Sequence, residues 1–280
     1  DLSEKTFGDY FRHAGYATAL IGKWHNGAYS QDYLPHRRGF DRFVGYANGG
    51  QDYWRWNLQR DDEPFPHDGR YLADALSDEA IRFVREQRGR PFALFLAHPV
   101  PHSPLQAPEP LVAKYRARLG PAAADAVVLT YAMIEAMDAG LGRLFQALRD
   151  EGRWENTIVV FTSDNGATKD GSNLPFRGGK HSVNEGGTHL PAVVSWPKGG
   201  LAKRSWDGLC GALDLFPSLM AMAGLEMPTT RPLDGKNLWP ALRDGAASPS
   251  VQSTGPLAAS EHREDAARGL QTKGNACGLR

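Results

Sequence analysis

A chain of 280 residues is long enough to bury a large core, and its 32 basic and 32 acidic side chains cancel to a net charge of zero. No global field is available to recruit nucleic acid or an anionic membrane, so any anion must be held by local groups. Two cysteines, Cys210 and Cys277, are too few for a disulfide framework and are not spaced as a zinc site, and no apolar run approaches the ~20 residues of a membrane-spanning helix.

The first residues, Asp1-Leu-Ser-Glu-Lys-Thr6, do not have the pattern of a signal peptide. A helix is predicted over residues 4–14, then Gly15, then a strand over 16–22, the order of an α/β unit. A second helix, 71–87, leads into the continuous apolar run 92–97, a pattern of strands buried on both faces. A long helix over 123–149 sets Val127, Tyr131, Ile134, Leu141, Phe145 and Leu148 at helical spacing as an apolar stripe and feeds a strand over 157–162. Asp138 falls on that stripe, and because a buried acid is costly without a partner it is expected to bond a neighbouring loop. A further strand, 190–196, precedes a helix over 213–223 closed by Gly224.

Helices alternating with short apolar strands predict an α/β fold, a mainly parallel sheet sandwiched by helices. Beyond about Met227 the composition shifts to Pro, Gly, Ala and Ser, and residues 246–259 read as linker. The expected division is an α/β domain over 1–226, then a linker and partial carboxy-terminal segment over 227–280.

In open α/β sheets ligands bind beyond the carboxyl ends of the strands, so strand endings become candidate site segments. They are Gly22-Lys-Trp-His-Asn-Gly27, His98-Pro-Val-Pro-His-Ser-Pro104 and Ser163-Asp-Asn-Gly166, joined by the glycine-rich Arg177-Gly-Gly-Lys-His-Ser182. Lys23, His25, His102, Asp164, Asn165 and Lys180 are expected to converge on one rim. Asp164 and Asn165 offer oxygens suited to calcium or magnesium, although Asp-Asn-Gly is equally a turn signal. Lys23 and Lys180 suit an anion or are ordinary exposed lysines; His25 and His102 suit proton transfer or are simply solvated. The aromatic segment Tyr53-Trp-Arg-Trp56 suits a sugar or aryl ring, or core packing.

Taken together, these segments resemble the sulfatases, within the alkaline-phosphatase-like superfamily. The matching stretches are Gly15-Tyr-Ala-Thr-Ala-Leu-Ile-Gly-Lys-Trp-His25, Arg38-Gly-Phe-Asp-Arg-Phe43 with Gly49-Gly-Gln-Asp-Tyr53, Pro101-His-Ser-Pro104, Phe161-Thr-Ser-Asp-Asn-Gly166, Gly178-Gly-Lys180 with Glu185-Gly-Gly187, and Asp214-Leu-Phe-Pro217. They follow the family's order from Thr6 to Leu242, and the Gly-Gly-Gln-Asp-Tyr segment is most similar to the arylsulfatase branch.

The resemblance implies a hydrolase that cleaves a sulfate ester on an aryl or sugar alcohol, using a formylglycine made from a cysteine. It also implies that Asp164 and Asn165 are half of a calcium site (magnesium being the other hard cation considered), and that Lys23, Lys180 and His102 bind the substrate. His102 would serve the leaving oxygen and His25 the formylglycine, so the implied catalytic set is Lys23, His25, His102 and Lys180. A periplasmic, secreted or lysosomal location follows from the resemblance alone, and the implied partner is a small-molecule or carbohydrate sulfate ester, with no nucleic acid.

The sequence also departs from the family. The convertible Cys-x-Pro-x-Arg motif, normally upstream of Gly-Lys-x-His, does not occur, since Cys210 precedes Gly-Ala-Leu and Cys277 precedes Gly-Leu-Arg. No early acidic pair precedes Lys23, and Asn26 and His189 stand where Leu and Arg are usual. The expectation is an amino-terminally truncated, inactive fragment of a sulfatase. Two other readings stay open: a phosphoric or phosphonic ester hydrolase of the same superfamily, and a non-catalytic anion-binding pseudoenzyme.

Overall fold

The computed structural model describes residues 2–201, 203–226, 232–246 and 248–249. In chain order the principal elements are α1 (Phe7–His13), β1 (Ala17–Lys23), β2 (Arg42–Tyr46), β3 (Asn57–Arg60), β4 (Glu63–Pro66), α2 (Leu72–Glu86), β5 (Phe92–Ala97), α3 (Glu109–Leu119), α4 (Asp125–Asp150), β6 (Val159–Thr162), α5 (Glu185–Thr188), β7 (Ala192–Ser195), α6 (Ala212–Met222) and α7 (Trp239–Asp244). They fall into two compact units, residues 1–201 and 202–280. The expected linker and carboxy-terminal segment lie mostly outside the described residues, as does Cys277.

The first helix starts later than its composition suggests because Thr6 makes a better cap than Glu4. The Thr6 hydroxyl accepts from the Asp9 amide, and the Asp9 carboxylate accepts from the Thr6 amide at 2.9 Å, which satisfies two donors that a helix start leaves open. After Gly15 the chain enters β1, the strand that organises the unit. It pairs in parallel with β2 on one side (Leu20 opposite Phe43) and with β5 on the other (Leu20 opposite Phe95). With both edges paired and both faces covered, β1 is buried from Ala17 to Gly22, and Lys23 is its first residue to reach solvent.

The central sheet is mixed, in the order β4-β3-β2-β1-β5: the parallel β2-β1-β5 core is extended by antiparallel β3 and β4. On one face Ile21 and Tyr46 pack with Leu72, Leu76 and Phe83 of α2, beyond which lie Met133 and Leu144 of α4. On the other, Leu20, Phe40 and Phe43 gather Phe7 and Trp24. Tyr53 and Trp56 belong to the first cluster, each 1 % exposed, so the aromatic segment is mainly packing.

Four expectations are corrected. The run 92–97 is not buried on both faces: among the described residues β5 pairs only with β1, and Phe95 is 50 % exposed, the pattern of an edge strand. The strand predicted over 190–196 does not join a parallel sheet, since β7 lies antiparallel to β6 in a separate two-stranded sheet. The apolar stripe read for α4 holds only at its carboxyl end, where Leu148 is buried and Phe145 packs on the core; the rest of the buried row runs through Val128, Ala132, Met133, Ala136, Gly140, Leu144 and Ala147, while Val127, Tyr131 and Ile134 are exposed. Asp138 is exposed and makes no hydrogen bond among the described residues.

In the second unit Asp214 is a structural tie. Its carboxylate accepts from the amides of Gly211 (2.8 Å) and Lys236 (2.7 Å), and the Ser218 hydroxyl accepts from the Leu238 amide at 2.9 Å, which fastens α6 to the segment leading into α7. The Asp-Leu-Phe-Pro motif thus acts through backbone hydrogen bonds within its own unit.

Candidate active site

Three of the expected residues are coupled electrostatically at the carboxyl end of β1. Lys23 leaves the sheet there, and burial holds its ammonium below the usual lysine range; the nearby Asp164 carboxylate opposes that shift, and the nearby Lys180 cation adds to it. Residues distant in sequence therefore share one electrostatic site of two ammonium groups and a carboxylate.

Asp164 follows β6, and its loop is held by backbone contacts that need glycine. Gly166 donates to the carbonyl of Gly187 at 3.0 Å, and a Cβ at 166 would lie 1.8 Å from the carbonyl oxygen of Gly186. Lys180 is placed by its own amide, which donates to the Ala167 carbonyl at 3.1 Å. Asn173 staples the loop between them, accepting from the Ala167 amide at 2.7 Å and donating to the Ala167 and Gly178 carbonyls at 2.9 and 3.2 Å.

The two histidines come together across a glycine pair. His25 follows β1 with φ of 54°, a left-handed conformation uncommon for a side-chain-bearing residue, held by its amide donating to the Ala47 carbonyl at 3.1 Å. A Cβ on Gly49 would sit 2.9 Å from His25 Nε2, and one on Gly50 would sit 3.9 Å from His102 Cε1, so this bare backbone is the wall against which both rings lie. His102 is oriented by its own loop: Nδ1 lies 2.8 Å from the Ser103 carbonyl, which as an acceptor requires the proton on Nδ1 and leaves Nε2 outward. The Tyr53 hydroxyl donates to the His102 carbonyl at 3.0 Å, and Gln106 bridges the Tyr53 amide (2.8 Å) and the Asp52 carboxylate (2.9 Å). That bond to Gln106, with those from the Trp54 and Arg55 amides, holds the Asp52 carboxyl below its usual range.

Gly49, Gly50, Gln106 and Asn173 were not singled out as site residues in the sequence. The signal for the first pair was present, in Gly49-Gly-Gln-Asp-Tyr53, but Gln106 and Asn173 act through contacts that no local pattern encodes.

The metal expectation is met only in part by the residues at hand. Asp164 and Asn165 offer oxygens, but calcium takes six to eight, and no group of three or more His, Cys, Asp or Glu suited to a metal occurs among the described residues. These two alone do not fit a complete hard-cation site. Cys210 is exposed and is followed by Gly-Ala-Leu, so it does not fit a formylglycine precursor.

The sequence profile of the family named Sulfatase matches residues 1–225. An uncharacterized sulfatase of Escherichia coli (strain K12), YdeN, is 34 % identical over 272 residues, covering 87 % of this chain and 48 % of its own length. The human N-acetylgalactosamine-6-sulfatase is 33 % identical over 272 residues, covering 87 % of this chain and 49 % of its own length. Among solved structures, that of Ps i-CgsB in complex with k-i-k-neocarrahexaose superposes with a TM-score of 0.82 at 31 % identity, covering 88 % of this chain and 59 % of that one. The chain thus spans about half the length of the curated relatives it matches. With the family profile covering most of the sequence, the chain belongs to the sulfatase family.

Proposed function

We propose that this chain forms the greater part of the catalytic unit of a sulfuric ester hydrolase acting on a sulfated carbohydrate, with an aryl sulfate as a minimal substrate. The observation that carries the reading is the pairing of Lys23 with Lys180. The Lys180 ammonium lies near enough to Lys23 to disfavour its charge, and a sulfate group offers oxygens that both ammonium groups can bind. The carbohydrate class is supported by the relatives, one named for N-acetylgalactosamine 6-sulfate and another solved with neocarrahexaose.

In this reading Lys23 and Lys180 hold sulfate oxygens and offset the charge that builds in the transition state. His102 directs Nε2 toward the ester and donates or shares a proton at the leaving oxygen. His25, fixed in its left-handed turn, holds or moves a proton at the nucleophile. Asp164 and Asn165 supply two oxygens toward a calcium or magnesium site whose other ligands are not found among the described residues, and no step is routed through it. The family's formylglycine needs a convertible motif absent from these 280 residues, so the chain on its own is proposed to be inactive, its site a partial one.

The test is a side-by-side assay of the 280-residue chain and a longer natural form on matched aryl sulfate and aryl phosphate esters. The longer form is expected to prefer the sulfate, with Lys180→Ala lowering kcat/KM by about 100-fold or more, and the 280-residue chain to show no turnover. Preference for the phosphate ester would replace this reading with a phosphoric ester hydrolase. Clear turnover by the 280-residue chain, lost in His102→Ala, would contradict its proposed inactivity.

A further inference from the structure

Beside the histidines lies a cleft of about 570 Å³, within the range of small-molecule sites. It is walled by the loop after β1 (Tyr29, Ser30), by the residues after β2 (Asn48, Gln51) and by β3 (Asn57, Gln59). Its lining carries amides and hydroxyls and no lysine or arginine. The one acid in it, Asp62, is already engaged, bonded to His36 Nε2 at 2.9 Å and to Arg37 at 3.0 Å. An anion therefore finds no cation there, whereas an uncharged polyol finds donors and acceptors in pairs.

Two of the amides are braced. Gln51 donates to the Asn57 carbonyl at 2.8 Å and Gln59 to the Asp61 carbonyl at 2.7 Å, which fixes them in place. The side chains of Asn48 and Asn57 are exposed and make no hydrogen bond among the described residues, so both are free to meet a ligand. Tyr29 stands fully exposed at the cleft and offers an aromatic face of the kind on which sugar rings stack.

A second, independent observation ties the cleft to the site. The segment from Ala47 to Gln51 is shared: Ala47 and Asn48 line the cleft, Ala47 holds the His25 backbone, Gly49 and Gly50 carry the two histidine rings, and Gln51 returns to the cleft. A substrate whose ester oxygen lies at His102 has only this thin wall between its sulfated ring and the cleft.

We propose that this cleft is the subsite for an uncharged glycosyl unit flanking the sulfated residue of a carbohydrate substrate. The proposal rests on the sulfatase reading and adds a division of labour to it. Charge is recognised at Lys23 and Lys180, and the neutral neighbouring ring at Asn48 and Asn57.

The experiment compares p-nitrophenyl sulfate with a disaccharide in which an unsulfated hexose is linked to a sulfated one, using the full-length protein. The double variant Asn48→Ala/Asn57→Ala is expected to raise KM for the disaccharide about tenfold with kcat unchanged, and to leave the aryl sulfate unaffected. Equal loss on both substrates, or no change on either, would overturn the subsite. Failure of the wild-type protein to cleave either substrate would instead overturn the sulfatase reading. In that event titration of the 280-residue chain with the unsulfated disaccharide, followed by NMR, decides the cleft alone: shifts at the Asn48 and Asn57 side-chain amides support it, and their absence refutes it.

Discussion

At the scale of single residues, the candidates Lys23, His25, His102 and Asp164 were picked out in the sequence because they end or follow strands, where an α/β sheet presents its ligands, and Lys180 because its loop is rich in glycine; the groups that hold them were not legible. Gln106 reaches a residue distant in sequence, and Gly49 matters only because His25 folds onto it. Replacing Gly49 by Ala would place a methyl 2.9 Å from His25 Nε2, so the ring must move. The expected result in the active protein is at least a tenfold loss of kcat/KM with little change in the melting midpoint; unchanged kinetics would remove Gly49 from the site. His98 makes a different prediction. Both its ring nitrogens are buried, and burial pushes its pKa down to about 4 from 6.5, a weak backbone hydrogen bond with Ala73 opposing only part of the shift. Because the folded protein holds His98 neutral, stability is complete above pH 6.5 and falls as pH drops toward 4, by about 3 kcal/mol in all. Denaturation measured across that window should show the loss, and His98→Gln should flatten it; an unchanged slope in the variant would assign the loss to other groups.

At the scale of elements, the type and order of α1, β1, α2, β5, α4, β6, β7 and α6 were readable, β2, β3, β4 and α3 were missed, and the direction of burial was legible only in part. The bounds of α2 and β5 fall within a residue of their sequence expectation because periodicity and flanking turn residues coincide. In α4 two apolar rows run along one helix, and composition favours the row of larger side chains. Packing against α2 selects the smaller row instead, since Ala132, Ala136 and Gly140 let the helices approach closely. The consequence is measurable. Met133→Ala, at a fully buried position, should cost about 2–5 kcal/mol, while Ile134→Ala, at a 39 % exposed one, should cost under about 1 kcal/mol. Chemical denaturation of both variants checks this, and the reverse ranking would restore the sequence-based stripe.

At the scale of the whole molecule, the first unit carries a surface that sequence patterning could not distinguish from core. Among the described residues β5 and β6 are each paired along only one side; Phe95 is half exposed on β5, and the partly exposed Phe161 and Val193 line one pocket with Tyr131 and Ile134. Apolar side chains on open strand edges are a template for pairing, so the 280-residue chain should associate with rising concentration, and Phe95→Lys should reduce that association. Light scattering across a dilution series measures it, and a monodisperse monomer at high concentration would contradict the expectation. In the same unit the charges of Asp164 and Lys180 act on Lys23 at the end of β1, and the proposed chemistry is built on that coupling. The central claim is that Lys23 and Lys180 form a single anion site. The most direct test is a titration of the 280-residue chain with sulfate, repeated on Lys23→Ala, Lys180→Ala and the double variant. The account predicts saturable binding in the millimolar range, weakened by either single change and abolished by both. Binding that survives the double variant would contradict it and place the anion elsewhere.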